Sequence, residues 1–197
     1  MTRFITPFVT AAILMCSGAT HAIESLAFEV LEKNDSIEVR RYASHMLATV
    51  RVAADFDEAG SKAFRPLFDF ISGDNANAEK IAMTAPVIQQ PAAESGQWLI
   101  SFVMPSDFKR ETLPVPSSAL VNVSEQPPML MAALQYRGGW SQSRYQEHEA
   151  KLIEAMNELS LAACGESRWA RHDPPFMPWF LRKNEILIPL CDSTAAL

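Results

Sequence analysis

Lys80-Ile81-Ala82-Met83-Thr84-Ala85-Pro86-Val87 is the stretch whose reading decides the fold. It is apolar, holds no acid, and runs to a proline that has no N–H for a strand ladder. Pro86 also biases Ala85 away from the α region, so the segment reads as extended. Before it, Ser72-Gly73-Asp74-Asn75-Ala76-Asn77 has the composition of a loop. Taken on periodicity alone, the stretch is an edge strand within 80–89 that enters a loop.

Upstream of that loop the spacing predicts a helix, capped by Asp55 or Asp57 and ending near Ile71. Ala59, Ala63, Phe64, Leu67, Phe68, Phe70 and Ile71 are its apolar positions, and Ser61, Lys62, Arg65 and Asp69 its polar ones. Pro66 predicts a kink or a shortened start. Before the helix, alternating segments at 28–32, 37–42 and 46–52 read as strands. After Val87, Gln97 to Met104 reads as another strand, and 105–118, with three prolines, as a connection.

The second half repeats the first. Val121-Asn-Val-Ser matches Ile37-Glu-Val-Arg, and Ala132 to Tyr136 matches Ala48 to Val52 at an offset of 132 − 48 = 84 residues. A second helix is expected over 142–161, its apolar face drawn through Ala150, Ile153, Met156 and Leu161, with strands at 167–172 and 184–190. One strand–strand–helix–strand–strand unit cannot cover its own sheet, but two can close on each other. The expected fold is α+β: a distorted, mostly antiparallel β-barrel of two pseudo-symmetric halves with two long helices packed outside.

The chain has 197 residues, 48% apolar and 20% charged, which suits one globular domain. A net charge of −6 and a pI near 5.2 argue against nucleic acid or an anionic membrane surface as partner. Residues 1–22 read as a signal peptide: Arg3, an apolar run from Phe8 to Met15, then Thr20-His21-Ala22. The domain proper is then 23–197, with a net charge of −6 − 1 = −7 after Arg3 leaves. A periplasmic or secreted protein without stable membrane insertion is expected, and a monomer. Cys164 and Cys191 remain in the mature chain, as a disulfide or as two small buried thiols.

Motifs for chemistry are absent: there is no Gly-rich phosphate loop, H-E-x-x-H, C-x-x-C or G-x-S-x-G. Ser143 and His148 form no persuasive triad, and the spacing of His45, His148 and His172 does not suggest zinc. Apolar residues do accumulate at breaks. Phe64 and Phe68 lie one helical turn apart. Asp173-Pro-Pro-Phe-Met-Pro-Trp-Phe-Leu181 is a proline-rich loop of large apolar side chains, which either plugs the core or lines a ligand groove.

Four stretches together resemble the SOUL/haem-binding protein family. They are the K-I-x-M-T-x-P-V string, the helix before it, Ile37-Glu-Val-Arg-Arg-Tyr42, and Asp173-Pro174-Pro175 followed by Arg182-Lys183-Asn184-Glu185-Ile186. The likeness covers roughly 28–190, in order. It implies non-covalent binding of haem or a related tetrapyrrole as cofactor, in an apolar groove between the first helix and the loop before the last strand. The groove residues it implies are Phe64, Phe68, Phe176, Met177 and Trp179, with Lys62 and Lys183 toward the propionates. The family's basic helix position falls at Ser61, its basic loop position at Met177, and a histidine of one member at Arg41. His172 is the nitrogen candidate for iron. The expected role is a carrier or buffer rather than an enzyme. The alternatives are an enzyme acting on a tetrapyrrole or similar amphipathic molecule, and an effector or protein-interaction domain.

Overall fold

In a computed structural model, residues 23–34 and 37–191 are described. The expected signal peptide lies outside them. Eleven strands and two helices follow in order: β1 (Glu24–Ser25), β2 (Phe28–Lys33), β3 (Glu38–Tyr42), β4 (His45–Ala53), α1 (Phe56–Ile71), β5 (Thr84–Ala85), β6 (Val87–Pro91), β7 (Gln97–Val103), β8 (Val121–Gln126), β9 (Met129–Arg137), α2 (Gln142–Glu158), β10 (Arg168–Arg171) and β11 (Lys183–Pro189).

Nine strands form one curled antiparallel sheet in the order β2-β3-β9-β11-β10-β6-β7-β4-β8. Leaving out β2, the order reads the same under exchange of the two halves, with β6 and β10 paired at the centre. The first strand of each half crosses over: β3 pairs with β9, and β8 with β4. The 84-residue offset is visible in the elements, since β4 begins at His45 and β9 at Met129, 129 − 45 = 84. This is the expected α+β, barrel-like sheet with two helices.

Period-two alternation decides which face each side chain takes. Met46, Ala48 and Val50 of β4 and Ile100 and Phe102 of β7 meet Ala59, Ala63, Leu67 and Phe70 of α1. Ala132, Leu134 and Tyr136 of β9 and Ile186 and Ile188 of β11 meet Tyr145, Leu152 and Met156 of α2. Both helices therefore cover the same face. The opposite face carries smaller clusters around Tyr42, Met131 and Leu187 and around Leu47, Ile88 and Val103.

Three local expectations are corrected. α1 runs unbroken through Pro66. Its start is not shortened, and Pro66 lies off the buried stripe, where water can reach the carbonyl freed by the missing N–H. Lys80 to Met83 is not strand: Ile81 turns into the core and its N–H donates to the Ile71 carbonyl at 2.8 Å. Thr84–Ala85 pairs parallel with β1, and Val87 begins a separate strand, so Pro86 divides the segment rather than ending it. α2 ends at Glu158, and its buried face is Tyr145, Leu152 and Met156, while Ile153 is exposed. Cys164 and Cys191 are joined, 27 residues apart in sequence with Cα atoms 4.9 Å apart.

Candidate functional site

α1 carries two stripes. Ala59, Ala63, Leu67 and Phe70 bury into the sheet, and beside them Asp57, Gly60, Ser61, Phe64 and Phe68 face a cavity of about 780 Å³. Ile100 and Phe102 of β7 and Val87 of β6 line it from the sheet. Met83, Thr84 and Ala85 line it beside Ile23, and the opposite wall is Arg171 to Phe176 with Trp140. Its volume falls in the roughly 300–1,000 Å³ range of small-molecule sites.

The cavity is apolar because its wall residues are. Phe64 and Phe68 stack with ring centroids 5.5 Å apart and planes 15° apart, and Phe64 meets Phe102 edge-on at 5.8 Å. Both nevertheless stay open to solvent, at 45% and 46% exposure, and Phe176 is 85% exposed. A planar apolar ligand would remove that surface from water, at about 25 cal/mol per Å².

The proline-rich loop owes its shape to the charged residues around it. The Asp173 carboxylate accepts the Lys183 N–H at 2.6 Å. Arg182 donates from Nε to the Met177 carbonyl at 2.8 Å and from Nη2 to the Pro175 carbonyl, and its guanidinium lies 4.3 Å from the centre of the Trp140 ring. Asn184 accepts from Trp140 Nε1 at 2.8 Å and donates to the Gly138 carbonyl at 3.0 Å. The Asp-Pro-Pro … Arg-Lys-Asn-Glu pattern is thus the scaffold of this wall.

Glu185 continues the pattern on the other face of the sheet. Its carboxylate, 1% exposed, lies 3.2 Å from Arg40 and 2.8 Å from His172 Nε2. Burial pushes the Glu185 carboxyl up, but His172 and Arg40 outweigh it and hold the group at about 2. Arg40 also bonds Glu38 and Tyr42, so the Glu-x-Arg-x-Tyr alternation places three side chains in one buried cluster.

Arg171 was not singled out by the sequence. It leaves β10 on the helix-covered face and passes between the helices. Nε donates to Tyr145 Oη at 3.1 Å and Nη2 to Gln89 Oε1 at 2.6 Å. Gln89 is fixed in turn by its bond to the Phe56 carbonyl at 3.0 Å. Nη1 lies against Gly60, where an added Cβ would come within 2.7 Å of it.

Of the residues expected at the site, Phe64, Phe68, Phe176 and His172 border the cavity together. Lys62, Met177, Trp179 and Lys183 are not among its lining residues. Lys62 pairs with Glu58 at 2.9 Å on the solvent side of α1. Lys183 reaches Glu185 at 3.3 Å, Met177 is partly buried within the loop, and Trp179 is exposed beside Phe180. Met83 to Ala85 with Val87, Trp140 and Arg171 also line the cavity. The first of these lay in the opening stretch, where strand periodicity hid it. Among the described residues no group of three His, Cys, Asp or Glu side chains gathers to hold a metal ion.

Fold and groove together define a two-repeat α+β domain with one broad apolar cavity between a helix and a proline-rich loop. The chain belongs to the SOUL heme-binding protein family, whose model matches residues 23–189. It is 22% identical over 162 residues to heme-binding protein 1 of Xenopus tropicalis, spanning 76% of this chain and 85% of that protein. The crystal structure of the EcmrR C-terminal domain is similar at a TM-score of 0.59 and 11% identity, covering 79% of this chain and 96% of that one. A structure described as a hydrolase from Listeria innocua is similar at 0.59 and 12%, covering 82% and 94%. At these identities the two structures share the fold with this chain.

Proposed function

We propose that the protein binds haem or a related tetrapyrrole non-covalently in the cavity beside α1 and acts as a carrier or buffer in an exported compartment. The observation that carries the reading is the stacked, half-exposed Phe64–Phe68 pair on the wall of a 780 Å³ apolar cavity. The residues fit the group: the aromatic pair offers a flat apolar surface, and Phe176 and Trp140 border the same space. Haem would bring its own redox and ligand-binding chemistry. This chain's part is to bury the ring and exclude water.

Haemin titrated into the 23–197 protein should give a saturable Soret band and quench fluorescence, since Trp140 lines the cavity. Phe68→Ala should weaken binding about tenfold, because losing about 1.4 kcal/mol of ring contact is a factor of ten. Its melting temperature should move by no more than about 2 °C, as expected for a surface change. A large drop in melting temperature with unchanged haemin affinity would make Phe68 a core residue and sink the groove assignment.

Export is part of the same proposal. It is supported by the Arg3, apolar-run and Ala22 pattern and by the Cys164–Cys191 bridge, which suits an oxidising compartment. The intact mass of the natural protein should start near Ile23. Soluble cytoplasmic protein retaining Met1 would count against export.

A further inference from the structure

Arg171 is a cation on an apolar cavity with no carboxylate to answer it. Its polar partners are both neutral, the Tyr145 hydroxyl and the Gln89 carbonyl oxygen, and the Trp140 ring lies 5.2 Å from its guanidinium carbon. Among the described residues no acid stands within ion-pair distance of it; Asp57 lines the same cavity but makes no pair with it. A guanidinium carries five donors in a fixed fork. Nε and one Nη2 hydrogen are taken by named partners, and Nη1 has no acceptor among the described groups.

The fork is held in place from behind. Gln89 is 1% exposed and Tyr145 fully buried, so both partners are fixed before any ligand arrives. Gly60 adds the space: any side chain there would press on Nη1 at 2.7 Å. A preset, partly desolvated guanidinium beside an apolar cavity suits an oxyanion, carboxylate or phosphate, on an otherwise apolar body, and on the tetrapyrrole reading that group is a carboxylate.

We propose that Arg171 is the carboxylate anchor of this cavity, so that its ligands are planar apolar molecules bearing at least one carboxylate, which pairs with Nη1 beside Gly60. This rests on the tetrapyrrole reading above and narrows it: the acid side chain of the ring points into the protein at this end, and esterified or uncharged rings are discriminated against. Lys62, paired with Glu58 on the solvent side, is not required for that contact.

The test compares acid and ester of one ring. Protoporphyrin IX should bind the wild-type protein at least tenfold more tightly than its dimethyl ester, measured by fluorescence quenching. Arg171→Gln should remove that preference by weakening the acid about tenfold and leaving the ester unchanged; ester binding also reports that the variant's groove is folded. Arg171→Lys should keep part of the preference. Equal affinity of acid and ester in the wild type, or equal weakening of both in Arg171→Gln, overturns the assignment. A smaller pair, pyrenebutyric acid and its methyl ester, separates this from the functional reading. Failure of both porphyrins with retained, Arg171-dependent preference for the pyrene acid would sink the tetrapyrrole function and leave the anchor standing. No preference in either pair would sink the anchor.

Discussion

His172 has two neighbourhoods. It borders the cavity, and its Nε2 lies 2.8 Å from the buried Glu185 carboxylate. With an Nε2 proton given to that carboxylate, only Nδ1 keeps a lone pair. We expect ring burial, not ligation, to carry haemin binding, so His172→Ala should leave the Soret maximum in place. Disappearance of a six-coordinate low-spin spectrum in that variant would instead make His172 the iron ligand. At this scale the sequence was readable where neighbours are local. The one-turn spacing places Phe64 and Phe68 on one face of α1, and the structure adds that their rings stack. Arg171 was not readable, because its partners Tyr145 and Gln89 lie 26 and 82 positions away.

Strand β3 and strand β11 are tied by charge as well as by packing. Arg40 and Glu185 are separated by 145 residues, and each is almost completely buried. An unfolded glutamate near the ordinary value of 4.5 takes its proton well before the folded Glu185, held at about 2. The stabilisation from Glu185 is therefore complete above about pH 4.5 and fades as pH falls toward 2, by on the order of 3 kcal/mol in all. Glu185→Gln should lower the melting temperature at neutral pH and flatten its fall between pH 4.5 and 2. A wild-type acid dependence in the variant would show that other carboxylates, such as Glu38, set it. The elements themselves were legible where alternation was strict, as in β4 and β7. The α2 face was not, because Leu152 and Ile153 are adjacent at the edge of a broad apolar side and only packing chooses Leu152 for the core. The strand expected over Lys80–Met83 failed because Ile81 gains more from the core than from a ladder.

The whole molecule is two copies of one pattern, and the 84-residue echo made that visible before any coordinates. The exchange of first strands was not visible, since a repeat fixes what each half contains but not which half a strand joins. The Cys164–Cys191 bridge ties the chain after α2 to the end of β11. Closing a loop of this length is worth about 3 kcal/mol in the chain-entropy account. Reduction should thus lower the melting temperature by roughly 6–12 °C for a domain of this size. An unchanged melting temperature after complete reduction would place the bridge outside the cooperative unit.

The exchange of first strands also sets a timetable for synthesis. When β3 leaves the ribosome, the strand it will lie against, β9, does not yet exist; β11, whose Glu185 answers Arg40, comes last of all. The amino-terminal half can gather β4, α1, β6 and β7, but the hairpin of β2 and β3 has no seat until the other half is made. Pairings this distant in sequence form slowly. A nascent chain so arranged cannot complete its sheet until its carboxyl end is released.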